Sequence, residues 1–363
     1  MSISRRKTAL LVAVVALIAL ALPAFVAAAP PYIPVISKGF QHQFWQTVKA
    51  GAEAAAKQYS VDITFEGPPS EADIQPQVQM LVNAMAKKPA AIALAALDTN
   101  SVMDQLNEAI RRKIPIIGFD SGVPNAPKGS IYATASTDNA NAAGLAAEKM
   151  FAALKSKIAA ASNAKPVTII VFSQDATSQS VTYRGKGFRD RMIKLITSQT
   201  SHPASDIKVT GNPAYIASDN PTSGKAIIIE MVVPASPKDT DVTNTAAAVL
   251  NRIKANNVLG IFCSNEGTAR GVLASTTDGS ALPKQYAGLL VVGFDAGKAQ
   301  KAAVRNKYFF GAITQDPYQI GFKAVELAYK AFKKQPVADV DTGAKFYDVT
   351  NMDQPDIAQL LYD

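Results

Sequence analysis

Apolar and polar positions along this chain fall into two alternating rhythms. Runs such as AAIALAAL (90–97), PVTIIVFSQ (166–174) and VLGIFCSN (258–265) are apolar without period-two alternation. That is the pattern of strands covered on both faces. Between them lie stretches with helical spacing. In QFWQTVKAGAEAAAKQY (43–59), Phe44, Val48, Ala52, Ala55 and Tyr59 share one face, as a helix requires. Similar helices are predicted in 72–88, 99–113, 139–157, 183–197, 242–256, 266–276 and 317–334. Strands alternating with helices imply parallel sheets with crossover helices. The rhythm restarts near residue 166, so two doubly wound lobes are expected. Residues 197–245 are rich in Ser, Thr, Pro and Asn and read as mostly irregular, with KAIIIEMVV (225–233) as an added strand or helix.

One pattern occurs twice: IIGFDSG (116–122) and VVGFDAG (291–297). Each reads as a buried strand in which Gly118 or Gly293 lets the backbone turn, a carboxylate follows, and Gly122 or Gly297 starts a loop. A repeated strand-end acid, Asp120 and Asp295, suggests two similar halves facing one shared object.

Composition narrows the setting. The 363 residues are enough for two α/β domains. Arg5, Arg6 and Lys7 precede an apolar stretch ending in small residues. This reads as a secretory signal peptide over residues 1–29, cleaved near Ala27 to Ala29, with a retained membrane anchor as the alternative. Its removal lowers the formal charge from +8 to +5. There is no Lys/Arg block of five or more, so nucleic acid is not an expected partner. A single cysteine, Cys263, excludes a disulfide framework. No cysteine ends the signal segment, so a freely diffusing periplasmic protein is expected rather than a lipoprotein.

Catalytic patterns are missing from the sequence. His42 and His202 are the only histidines and have no partners at metal-ligand spacing, so no metal or cofactor is expected. There is no G-x-S-x-G elbow, no phosphate loop and no complete dinucleotide fingerprint. Asp120 and Asp295 could form a glycosidase acid–base pair, but that does not explain the echo around them. No catalytic residue is assigned.

Several segments, in order, resemble the sugar-binding proteins of ABC importers in the ribose-binding branch of the type I periplasmic binding proteins. They are SKGFQHQFWQTVKAGAE, IPIIGFDSG, ASTDNANAAG, YRGKGF, IFCSNEGTARGVL, VVGFDAG and ITQDPYQIG, together running from about residue 32 to the end. LacI-type repressors share that fold but begin with a DNA-binding helix-turn-helix, and here the signal segment stands in that place. The resemblance implies two Rossmann-like lobes joined by a three-crossover hinge, with a ligand cleft between them. The crossings would fall near 134–138, 313–317 and 345–349. The first lobe would take 31–136 and 317–344, the second 138–314 and 346–363.

Carried over by position, the resemblance implies that Phe44 and Trp45 sandwich a sugar and that Asp120 and Asp295 are the carboxylates of the two lobes. It makes Arg184 the fork onto sugar hydroxyls, Asn265 a strand-end amide and Gln315 a hinge-side amide. His42, Asp98, Asn100 and Thr137 are further candidates, and they depart from the ribose-binding pattern. The side-chain chemistry fits: carboxylates accept from hydroxyls, Arg, Asn and Gln donate to them, and aromatic faces cover C–H surfaces. Plainer roles stay open for each. Phe44 and Trp45 could be core, Asp120 and Asp295 turn caps, Arg184 a surface charge, Asn265 a helix cap and Gln315 a loop residue. The expected function is a monomeric receptor that closes on a monosaccharide or polyol and delivers it to a membrane permease. A receptor for a furanose-like signal or nucleoside, feeding a sensor or chemoreceptor, and a secreted glycosidase are the alternatives.

Overall fold

The unalternating apolar runs become strands with nearly every side chain buried, and they assemble into two separate sheets. The computed structural model describes residues 29–40 and 42–362. The expected signal peptide therefore lies, but for Ala29, outside the described residues. Among the described residues no helix is long and apolar enough to cross a membrane.

In chain order the first elements are β1 (Tyr32–Ile36), α1 (Gln43–Tyr59), β2 (Asp62–Glu66), α2 (Ile74–Ala86), β3 (Ile92–Leu94) and α3 (Met103–Arg112). Next come β4 (Ile116–Phe119), β5 (Ile131–Ser136), α4 (Asn139–Ala159), β6 (Val167–Phe172), α5 (Gln179–Gln199) and β7 (Ile207–Gly211). β8 (Ile227–Val232), α6 (Asp239–Asn251), β9 (Val258–Cys263), α7 (Glu266–Ala274), β10 (Leu290–Phe294) and α8 (Lys298–Arg305) follow. The chain ends with β11 (Gly311–Gln315), α9 (Pro317–Phe332), β12 (Val340–Asp341), β13 (Ala344–Tyr347) and α10 (Pro355–Ala358).

The first sheet has the order β12-β5-β4-β3-β1-β2 and the second β13-β11-β10-β9-β6-β8-β7. All pairs are parallel except β11–β13. These are the two Rossmann-like lobes. The stretch expected to be irregular is largely ordered: β7 and β8 extend the second sheet, and Lys225–Val233 contributes a strand rather than a helix. Ile227, Ile229 and Met231 are buried and alternate with less buried neighbours, so the segment has strand period despite its polar flanks.

Three segments pass between the sheets. Thr137 and Asp138 join β5 of the first to α4, which packs on α5 in the second. Asp316 joins β11 to α9, which packs on α1. The third crossing lies earlier than the expected 345–349, because β13 already pairs with β11 from Ala344. It occupies Thr342 and Gly343, where Gly343 has φ of +80°, a conformation that costs glycine little. Thr137 Oγ1 donates to the Gly343 carbonyl at 3.2 Å, and Asp138 N donates to Asp341 Oδ1 at 2.9 Å, tying the first and third crossings together.

The repeated GFD segments have a shared geometry, with one correction. The backbone turns at the aspartates, not at Gly118 and Gly293: Asp120 has φ of +55° and Asp295 of +78°. Short polar side chains tolerate that region better than others, at a cost of about 1–2 kcal/mol. Gly118 and Gly293 serve close packing instead. A Cβ at 118 would lie 2.8 Å from Thr134 Oγ1, and one at 293 would lie 2.6 Å from Gln300 Oε1. In each lobe the aspartate N–H donates to the adjacent strand, Asp120 to Ala135 O (3.0 Å) and Asp295 to Ile313 O (2.6 Å). The sequence echo is thus one strand ending built twice.

Candidate ligand-binding site

Helices on both faces leave the carboxyl ends of the strands as the open edge of each sheet, where such sheets place ligands. The two edges meet around a narrow cavity of about 20 Å³ lined by twelve side chains. Lys38 follows β1, and His42, Phe44 and Trp45 open α1. Glu71 precedes α2, and Asp120 follows β4. From the second lobe come Val181 and Arg184 on α5, Asn265 and Glu266 at the start of α7, Asp295 after β10 and Gln315 ending β11.

Seven residues named from the sequence therefore converge here: Phe44, Trp45, Asp120, Arg184, Asn265, Asp295 and Gln315, with His42 beside them. Phe44 and Trp45 line the same wall as neighbours, with ring centroids 5.0 Å apart at 87°. Three candidates lie elsewhere. Asp98 accepts from Asn100 N and Ser101 N, both at 2.8 Å, so its carboxylate closes a turn. Asn100 is exposed, and Thr137 is at the hinge with its hydroxyl on Gly343.

Lys38, Glu71, Val181 and Glu266 were not anticipated. Lys38 and Glu71 occupy strand-end loops, the same topological address as Asp120, which was their one legible signal. Glu266 follows Asn265 directly. Val181 carries no chemistry that a sequence pattern would single out.

Hydrogen bonds tie these groups to one another. Asp295 accepts from Gln315 Nε2 at 2.6 Å and Glu266 N at 3.0 Å, with Arg184 NH1 3.8 Å away. Arg184 donates from Nε to Asn139 Oδ1 (2.7 Å) and from NH1 to Ser264 O (3.2 Å). Its guanidinium lies 3.9 Å over the Phe294 ring, a stacked cation–π contact. With five donors in a planar fork, it retains N–H groups beyond these two bonds. Asn265 caps α7 by accepting from Thr268 N at 3.1 Å, and its Nδ2 donates to Gln174 Oε1 at 2.6 Å. It therefore combines the plain cap role with a position on the cavity wall.

Lys38 donates to Ser180 Oγ at 3.1 Å, and its Nζ lies 3.1 Å from Asp120 Oδ2. That ion pair lacks hydrogen-bond alignment, and Asp120 Oδ2 has no hydrogen-bond partner. Glu266 Oε2 and Gln315 Oε1 are likewise buried and unpartnered. Two buried acceptors without donors, and a third whose partner is the Lys38 ion pair alone, therefore belong to residues that line one cavity. Buried acceptors are normally satisfied, so the free lone pairs on this wall suit a group that donates hydrogen bonds.

Electrostatics agrees. Four carboxyl side chains line the cavity, against Lys38, Arg184 and the titratable His42, so no excess of positive charge awaits an anion. Burial disfavours the Lys38 charge, but Asp120, Glu71 and Asp175 outweigh it and raise its pKa. Burial also opposes ionisation of Glu71. The Lys38 and His42 charges and hydrogen bonds from Trp45 and Gln174 prevail, holding it down at about 2. Glu266 goes the other way: burial, reinforced by Asp295 and Glu71 and opposed by His42 and Arg270, pushes it up to about 7.

The periplasmic binding protein domain matches residues 33–336. The D-allose-binding periplasmic protein of Escherichia coli (strain K12) is 24% identical over 317 residues, 86% of this chain and 88% of that one. A solved structure described as an ABC transporter, LacI family transcriptional regulator from Brachyspira murdochii is 42% identical with a TM-score of 0.76, covering 93% of this chain and 100% of that one. An ABC transporter solute binding protein from Agrobacterium vitis with bound D-fucose is 28% identical with a TM-score of 0.73, covering 91% and 100%.

Proposed function

The chain belongs to the periplasmic binding protein family, and on that premise we propose that it captures a neutral monosaccharide or polyol between its lobes and presents it to the membrane permease of an ABC importer. The observation that carries this reading is the pair of unpartnered acceptors, Glu266 Oε2 and Gln315 Oε1, beside an Asp120 carboxylate whose Oδ2 has only the Lys38 ion pair. They accompany the Arg184 fork and the Phe44–Trp45 wall. A ring of hydroxyls supplies the donors, accepts from the arginine and lays its C–H face on the aromatics. Hydrogen bonds to charged groups contribute roughly 1.5–3 kcal/mol each, enough to separate epimers. The relatives named for D-allose and crystallised with D-fucose support the same ligand class.

Because ligand groups come from both lobes, a guest favours the state in which the lobes meet. The family places such receptors in the periplasm, where a monomer suffices for diffusion to the permease. No chemistry on the ligand is invoked.

The test is thermal unfolding of the mature protein against pentoses, hexoses, polyols and nucleosides. A ligand that binds only the folded state raises the melting temperature by mass action. A shift with one sugar and not its epimers supports the reading and names the cargo. A shift with nucleosides alone moves the ligand class. Asp120→Ala and Asp295→Ala should each abolish detectable binding while the protein stays folded. Wild-type affinity in both would sink the site assignment.

A further inference from the structure

Trp45 is the only tryptophan of the chain, and its indole is tied to the opposite lobe through two side chains. Trp45 Nε1 donates to Glu71 Oε1 at 3.0 Å within the first lobe. The other oxygen, Glu71 Oε2, accepts from Gln174 Nε2 of the second lobe at 2.8 Å. Gln174 Oε1 in turn accepts from Asn265 Nδ2 at 2.6 Å, and Asn265 is fixed by its cap on α7. The relay runs from the aromatic wall to the amide wall without a break, and each link uses a different atom. Both Glu71 oxygens and both polar ends of the Gln174 amide are engaged, so neither residue can leave without stranding a polar group at the lobe boundary. Lys38 adds a parallel bridge, reaching across to Ser180.

From this we infer that Glu71 is a positioning residue: with Gln174 it holds the lobes in contact even without a ligand, and it makes lobe contact and the orientation of Trp45 and Asn265 a single event. This rests on the reading of the cavity as a ligand site. An ionised Glu71 accepts at both oxygens at once, and its neighbours keep it ionised. The bridge is charge-assisted at each end and worth more than a neutral pair.

The experiment places spin labels on the exposed Lys57 and Lys157 of the full mature protein. It reads the ratio of in-contact to separated lobes by electron–electron distance measurement, first without any ligand. Glu71→Ala and Gln174→Ala should each lower that ratio by about tenfold. The double variant should fall no further than the worse single one, as coupled partners do. Trp45 emission should shift to the red in Glu71→Ala and much less in Gln174→Ala, and Glu71→Gln, which keeps one acceptor oxygen and turns the other into a donor facing a donor, should retain one link of the relay and restore only part of the loss. A merely structural residue would not divide its effects in this way. If Glu71→Ala does not fold, Gln174→Ala and Glu71→Gln still decide the matter. Additive effects, an unchanged ratio in Gln174→Ala, or a wild-type protein with no in-contact population before ligand would overturn the inference. Sugars are then added to the labelled wild type. If none alters the distance distribution, the sugar reading fails, while the Glu71–Gln174 bridge stands or falls on the ligand-free distances alone.

Discussion

On the proposed reading of the cavity, Glu266 should make ligand affinity a function of pH, and the sign follows from its surroundings. In the unliganded protein burial holds its pKa at about 7, against an ordinary 4.5. The titratable and charged groups around it are His42, Arg270, Asp295 and Glu71. A ligand hydroxyl donating to the unpartnered Oε2 stabilises the carboxylate and lowers that pKa, so binding releases a proton when it occurs below about pH 7. Between pH 8 and pH 5.5 the ionised fraction of the free protein falls about thirtyfold, and affinity should fall by up to that factor, about 2 kcal/mol. Titration calorimetry in two buffers of different ionisation enthalpy reads both the affinity and the proton released. Glu266→Gln keeps an acceptor but cannot titrate, so the difference between its profile and that of the wild type isolates this one group. Affinity that is flat across the range, or that rises toward acid, or a variant with the wild-type slope, would refute the reasoning. The free protein carries the converse signature. Folded Glu266 keeps its proton up to about 7 while the unfolded chain loses it near 4.5, so this residue subtracts stability as pH rises through that window.

Three further outcomes are expected. Arg184→Lys should weaken sugar binding at least about tenfold in calorimetry, since a lysine can neither keep the Asn139 bond in fork geometry nor stack on Phe294. Gly321→Ala should lower the melting temperature by a few degrees with affinity nearly unchanged. Its new Cβ would lie 1.9 Å from the Val48 carbonyl, where α9 crosses α1, and such overpacking costs about 1–3 kcal/mol. Asn100→Ala should leave affinity within about twofold of wild type, because the residue is exposed and outside the cavity. A large loss there would mean the cavity extends beyond its present walls.

What the chain determines by itself is whatever depends on local period and on repetition. Unalternating apolar runs such as Ile116–Phe119 and Val167–Phe172, short and bounded by turn residues, have the pattern of strands covered on both faces. Helical spacing from Phe44 to Tyr59 names the covering layer, and the doubled GFD marks two equivalent strand ends. From those ends follow Asp120, Asp295 and the expectation of a shared cavity. Arg184, Asn265 and Gln315 were legible only through the resemblance of their motifs, since an arginine on a helix or an amide before one has plainer uses. Tertiary structure decided the rest. Only packing shows that Gly118 and Gly293 are spaces for Thr134 and Gln300 and that the left-handed turn belongs to the aspartates. Lys38 and Glu71 are ordinary loop charges until the lobes meet, and Asp98 and Asn100 resembled site residues until the turn after β3 closed on them. The physical reason is one of range. Periodicity records which face of an element is buried, a property of neighbours within a few residues. The partners of a buried charge, Glu71 with Gln174 or Glu266 with Asp295, are about a hundred and about thirty residues apart, and only the folded sheets bring their low-dielectric surroundings and unmatched acceptors into one place.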